Sequence, residues 1–128
     1  MKLYKHQNNN IVLIKVLENK IDSALAPEFK KELLATVFQE TPNMIIDLVN
    51  VDYMDSSGLG SLLFGHRQAG RNNGTMVLIK PRHRVKKLID IAQLTRVLQI
   101  CDSEEDAIKL IQREQDGRSK KTDEQGLL

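Results

Sequence analysis

Met44-Ile45-Ile46-Asp47-Leu48-Val49 leads through Asn50 into Val51-Asp52-Tyr53-Met54-Asp55-Ser56-Ser57-Gly58-Leu59-Gly60, where a strand hands over to a helix. The first six residues are nearly all apolar, the pattern of a strand covered on at least one face and therefore central in its sheet. Asp55 or Ser56 suits a helix cap, because a short side-chain oxygen there accepts from a backbone N–H that the first turn leaves without a partner. Leu59, Leu62, Leu63 and Ala69 then recur at helical spacing until Asn72-Asn73-Gly74 closes the segment. A buried strand feeding an amphipathic helix is the building unit of an α/β fold.

The same unit recurs on both sides. Upstream, Ile11-Val12-Leu13-Ile14-Lys15-Val16-Leu17 is β-branched and apolar, and Asn8-Asn9-Asn10 makes a turn from a short strand near Leu3-Tyr4, which predicts a hairpin. From Ala24 to Glu40, Leu25, Phe29, Leu33, Leu34, Val37 and Phe38 fall on one helical face with Lys30, Lys31 and Glu32 opposite, and Pro42 forbids continuation. Downstream, Met76-Val77-Leu78-Ile79 predicts a strand, and Pro81 opens a helix with Val85, Leu88, Ile89 and Ala92 inward. Val97-Leu98-Gln99-Ile100 predicts a last strand, and Ser103 starts a helix with Glu105 and Asp106 in its first turn and Ala107, Ile108 and Ile111 inward. Strands alternating with helices imply parallel pairing and right-handed crossovers in a sheet of four or five short strands. No periodicity survives from Glu114 to Leu128, so residues 1–113 are expected to form the domain and 114–128 a disordered tail.

Composition narrows the function. The 128 residues suit one domain, and 19 Lys+Arg against 17 Asp+Glu leave a charge of +2, too near balance for general attraction to nucleic acid or an anionic membrane. Cys101 stands alone, which excludes an intramolecular disulfide and a cysteine zinc cluster and fits a reducing cytoplasm. No apolar run approaches the ~20 residues of a membrane span, and the start, Met1 to Asn10, has no signal core. With 4% aromatics and no Trp there are few rings for stacking bases, and the core must be aliphatic.

Several chemistries can be tested on the strand-to-helix passage. A hydrolase elbow needs Gly two residues either side of its Ser; Ser56 has Met54 and Gly58, and Ser57 has Asp55 and Leu59, so neither qualifies. The dinucleotide fingerprint would need Gly where Leu63 stands, and no phosphate loop of the Gly-Lys type occurs. His6, His66 and His83 lie on separate elements and read as surface side chains, not metal ligands. Cys101 ends an apolar strand and reads as a core residue. Lys80-Pro81-Arg82-His83-Arg84-Val85-Lys86-Lys87 concentrates cations at a helix start, where the macrodipole disfavours them; it reads as a solvated face or a place for a compensating anion. Gly58, Gly60, Gly65 and Gly70 each cost a helix interior roughly 1 kcal/mol relative to Ala, so the helix gives up stability for close approach, either to its own sheet or to a partner. The passage can thus be a plain polar cap or a contact surface.

Met54-Asp55-Ser56-Ser57-Gly58-Leu59-Gly60, after Ile45-Ile46-Asp47-Leu48 and before the strand that follows Gly74, resembles the anti-sigma-factor antagonist family, the STAS-domain proteins of bacteria. The likeness runs from about residue 3 to 113 and takes in Ile21-Asp22-Ser23-Ala24 and Val85-Lys86-Lys87-Leu88-Ile89-Asp90 through Leu94. It implies a mixed sheet with helices covering one face, and a Ser or Thr at the head of the second helix phosphorylated by a kinase that doubles as the anti-sigma factor. By position the acceptor is Ser56, with Asp55 its acidic neighbour and Asp22 part of the partner-facing surface. The implied contact set is Asp22, Asp55, Ser56, Ser57, Gly58, Leu59 and Gly60. Asn19 stands where the family usually has Gly ahead of that Asp, and Asn tolerates a left-handed turn.

The expectation is therefore a cytoplasmic, monomeric regulator that is not an enzyme. Its unphosphorylated form sequesters an anti-sigma factor serine kinase and a phosphatase resets it, with no cofactor, metal or direct nucleic-acid contact. The alternatives are a STAS subunit of a transporter or other signalling complex, and a small hydrolase or nucleotide-binding protein using Ser56 and Ser57.

Overall fold

In the computed structural model, which describes residues 1–126 and side chains through Arg118, Asn9 turns the chain at φ 56° between strands β1 (Leu3–Asn8) and β2 (Ile11–Val16). The hairpin is antiparallel, with Leu3 opposite Val16. β4 (Met44–Asp47), β6 (Met76–Ile79) and β7 (Gln99–Cys101) continue the sheet in parallel, giving the order β1-β2-β4-β6-β7. The sheet is therefore mixed and five-stranded, with the antiparallel pair at one edge. Two further strands of two residues each, β3 (Lys20–Ile21) and β5 (Tyr53–Met54), pair in parallel outside it. The helices are α1 (Ala26–Gln39), α2 (Ser56–Arg71), α3 (His83–Ile91) and α4 (Glu104–Gly126).

Every residue of β4 and β6 is buried, and their alternate side chains belong to two different apolar layers. Met44, Ile46, Met76 and Leu78 meet Phe29, Leu33 and Val37 of α1, Leu59 and Leu62 of α2, and Val85 and Ile89 of α3. Ile45, Val77 and Ile79 face the other way and meet Ala107 and Ile111 of α4. The expectation of helices on one face thus holds only for α1 to α3. Leaving three branched residues of the other face in water would forgo about 1.5–3 kcal/mol each, and α4 covers them.

Element boundaries differ from the sequence reading where local hydrogen bonding decides them. α1 starts at Ala26 instead of Ala24, because Asp22 turns the chain first: its carbonyl accepts from the Leu25 and Ala26 N–H groups at 3.1 and 2.9 Å. α3 starts at His83, with extended Arg82 (φ −72°, ψ 163°) as its N-cap and Pro81 left in the connection. The last strand is Gln99–Cys101, starting two residues later and ending one later than the expected residues 97–100, and Leu98 before it is buried. Phe38, read as inward, is 64% exposed, and Ala92 is also exposed.

α4 does not stop at Arg113, where a disordered tail was expected to begin, but runs to Gly126. Gln115 Nε2 donates to Asn43 Oδ1 at 3.0 Å and to the Asn73 carbonyl at 3.1 Å, and Arg118 Nη1 donates to the Asn73 carbonyl and Thr75 Oγ1 at 3.2 and 3.0 Å. Polar bonds to the ends of β4 and β6 thus replace the apolar periodicity that this part of the helix lacks. Leu127 and Leu128, the end of the expected tail, lie outside the described residues. Asn19 is not left-handed either: positive φ among non-glycine residues occurs at Asn9, Asn73, Lys80 and Gln93. Its carbonyl instead accepts from the Asp52 and Tyr53 N–H groups at 2.7 and 3.2 Å, which needs no special backbone.

Candidate functional site

The small parallel pair puts Lys20 beside Tyr53 and Ile21 beside Met54, so the turn carrying Asp22 and the loop carrying Asp55 lie next to each other. Asp55 is the N-cap of α2, with extended backbone at φ −99°, ψ −173°. Its Oδ1 accepts from the Gly58 N–H at 2.9 Å, satisfying one donor of the first turn, and its Oδ2 accepts from the Ser23 N–H at 3.1 Å. Asp22 works similarly on its own turn: Oδ1 accepts from the Ala24 and Leu25 N–H groups at 3.1 and 3.3 Å, and Lys20 Nζ lies 3.7 Å from Oδ2. Both carboxylates are half-buried and hold backbone, while keeping an exposed edge.

Ser56 is the first residue of α2 and is exposed; Ser57 beside it is half-buried. A group at Ser56 sits at the positive end of the helix dipole. Gly58 is buried because the protein leaves no room for a side chain: a Cβ there would lie 2.2 Å from the Ile21 carbonyl oxygen and 2.5 Å from Met54 Cγ. Leu59 is 6% exposed and belongs to the core. Gly60 is half-buried, and a Cβ there would meet nothing within 4 Å. The glycines therefore divide. Gly58, and Gly65 against Leu33 and Met76, serve packing, whereas Gly60 leaves a bare spot one helical turn from Ser56.

The structure thus brings Asp22, Asp55, Ser56, Ser57 and Gly60 to one surface, with Gly58 and Leu59 beneath it as its support. The cation run at the start of α3 lies close by. Arg82 there pairs with Asp52, the residue before β5, so a carboxylate of the chain itself supplies one compensating charge. The sequence reading missed Tyr53, 47% exposed beside this surface. Its only signal was an aromatic residue between Asp52 and Met54, two positions before the cap.

The histidines do not converge. His6 and His83 are exposed; His66 is half-buried, and burial, then the nearby Arg67 charge, lowers its pKa below the ordinary 6.5. Cys101 is half-buried against the α4 layer, and burial first, then Asp106 and Asp102, raises its thiol pKa. Among the described residues no cluster of three or more His, Cys, Asp or Glu could hold a metal ion, and no helix is long and apolar enough to cross a membrane.

A serine exposed at the head of α2, on a mixed sheet, is the arrangement that the sequence resemblance implied. The profile of the STAS domain matches residues 2–107. The chain belongs to the STAS-domain family. Among its relatives is an anti-sigma-B factor antagonist from Listeria monocytogenes, 31% identical over 85 residues that make up 66% of this chain and 75% of that protein. The fold of this STAS domain is similar to that of an anti-sigma factor antagonist from Mycobacterium paratuberculosis, with a TM-score of 0.76 at 19% identity over 87% of this chain and 93% of that one. It is also similar to SpoIIAA, an anti-sigma factor antagonist, in its unphosphorylated form, with a TM-score of 0.72 at 21% identity over 87% of this chain and 96% of that one. At these identities the structural likeness carries the fold.

Proposed function

We propose that this STAS domain is an anti-sigma factor antagonist of the bacterial cytoplasm, switched by phosphorylation of Ser56. Its unmodified form binds an anti-sigma factor serine kinase through Asp22, Asp55, Ser56, Ser57 and the bare helix surface at Gly60, with Gly58 and Leu59 setting the shape from below. The observation that carries this is the exposed Ser56 hydroxyl at the first position of a helix whose neighbour, Asp55, already caps it. The comparison proteins support the reading, since SpoIIAA, whose fold this chain shares, is known in both unphosphorylated and phosphorylated forms.

The chemistry is consistent with a switch that leaves the fold intact. A phosphate adds about −1.5 to −2 charges, and at a helix N-terminus the dipole and first-turn N–H groups tolerate an anion. A partner packed over the bare hydroxyl then meets bulk and charge, with the Asp55 carboxylate adding repulsion. A loss of about 1.4–4 kcal/mol weakens association roughly 10-fold to 1000-fold. In this role Ser56 is the kinase's substrate, the domain performs no catalysis of its own, and a phosphatase restores binding.

The test is incubation with the cognate kinase and ATP, read by mass spectrometry. The wild type gains one phosphate, Ser56→Ala gains none, and Ser57→Ala still reacts; phosphate on Ser57 in the wild type overturns the assignment. Ser56→Asp weakens capture of the kinase, and unchanged affinity for that variant places Ser56 outside the interface.

A further inference from the structure

α3 carries two stripes. Val85 and Ile89 are buried against the sheet, while Arg84, Lys87, Leu88 and Ile91, spaced i, i+3, i+4, i+7, line an open hollow with Tyr53 and Met54 of β5. The hollow has a volume of about 410 Å³. Its lining is mostly apolar, yet Ile91 is 70% exposed and Tyr53 47%. A single exposed aliphatic residue needs no explanation. Here apolar side chains from two elements, held together at one end by the Arg82–Asp52 ion pair, share one concavity. Its rim is cationic: no acidic side chain lines it, and neither Arg84 nor Lys87 has a carboxylate partner among the described residues.

We propose that this groove seats a bulky apolar side chain of a protein partner, flanked in that partner by carboxylates that meet Arg84 and Lys87. An aliphatic or aromatic anchor fills the hollow over Leu88, Ile91 and Tyr53, and an arginine fork matches a carboxylate in bidentate geometry. A lipid surface fits less well, because a flat headgroup layer cannot enter a two-walled hollow. A second copy of this chain also fits less well, because a symmetric contact would set Arg84 and Lys87 against themselves. Met54 lines the groove and also lies against Gly58 beneath the Ser56 surface, so the groove adjoins that surface. Only the link to a phosphate at Ser56 rests on the phosphorylation reading. If both hold, a partner edge rich in carboxylates is the kind that a phosphate at Ser56 repels.

The test is an NMR titration of the isotope-labelled full chain with two synthetic helical peptides of about 15 residues. One presents leucine and phenylalanine one turn apart flanked by glutamates; the other has lysines in place of the glutamates. The glutamate peptide shifts the Tyr53, Leu88 and Ile91 signals and binds at least about tenfold more tightly than the lysine peptide. The doubly substituted Arg84→Glu/Lys87→Glu chain, both of whose positions are exposed, keeps its thermal stability and reverses the preference. Equal binding of the two peptides, shifts elsewhere, or no shift with either overturns the proposal. So does sedimentation with phosphatidylserine vesicles without a peptide response, or concentration-dependent shifts of the chain alone at these residues. Neither kinase nor Ser56 enters this titration, so its failure leaves the phosphorylation reading standing, and the converse also holds.

Discussion

Replacing a glycine of α2 by alanine has opposite consequences two residues apart. At Gly58 the added Cβ would lie 2.2 Å from the Ile21 carbonyl oxygen and 2.5 Å from Met54 Cγ. The methionine can swing aside, but the carbonyl is backbone, bound in β3 and accepting from the Asp55 N–H at 3.4 Å. Overpacking of this kind costs about 1–3 kcal/mol, and the upper half applies because main chain must move. Against it stands a gain in helix propensity of at most ~1 kcal/mol. Gly58→Ala therefore destabilises by about 1–2 kcal/mol, and the melting temperature falls by roughly 4–8 °C for a chain of this size. At Gly60 nothing lies within 4 Å of the new Cβ, so only the propensity term acts. Gly60→Ala is neutral or stabilising by up to ~1 kcal/mol, yet it weakens kinase binding by filling the bare spot. Calorimetric melting of both variants, with the kinase affinity of Gly60→Ala, checks the reasoning. Shifts of the same sign and size at the two positions, or a Gly58→Ala protein at least as stable as wild type, would refute it.

Asp55→Ala removes a helix cap and the tether to Ser23, and stability falls by about 1–2 kcal/mol, seen as a lower midpoint in urea. Gln115→Ala removes bonds to Asn43 and Asn73 and costs about 1 kcal/mol; an unchanged midpoint in urea would show that these two bonds contribute nothing to the domain. His66 has its folded pKa depressed by burial, so the unfolded chain takes up the proton first. Its contribution is therefore present above the ordinary value of 6.5 and is lost as pH falls through that value toward the folded one. Melting temperatures of wild type and His66→Gln measured from neutral to mildly acidic pH converge or cross on the acid side, and parallel curves would exclude the effect.

The α/β alternation was legible because long apolar periods specify it: Phe29, Leu33 and Val37 on α1, and the nearly continuous apolar runs around β4 and β6, leave one reading. Two-residue strands carry no alternation, so β3 and β5 left no trace in the sequence, although they bring Asp22 and Asp55 together. The second half of α4 was missed for a related reason. Gln115 and Arg118 hold it by polar bonds to residues 40 or more positions away, which no local pattern reveals. At the site, a cap at Asp55 or Ser56 followed from residue type and position, and the structure settles it on Asp55 and leaves Ser56 exposed. The division of labour between Gly58 and Gly60 did not, since it depends on what lies above each Cα in space. The cations of α3 were visible as a run, but only the packing of α3 beside β5 sorts Arg82, paired with Asp52, from Arg84 and Lys87 on a groove.

The two oxygens of Asp55 hold the Ser23 and Gly58 amides at once, which makes the two loops beside Ser56 a single preorganised body. A visitor therefore freezes few new degrees of freedom in this chain, where ordering each mobile side chain would cost about 0.5–1.5 kcal/mol. Such a rigid template associates at similar rates whether esterified or not, apart from electrostatic steering, so the two forms differ chiefly in how long a complex survives.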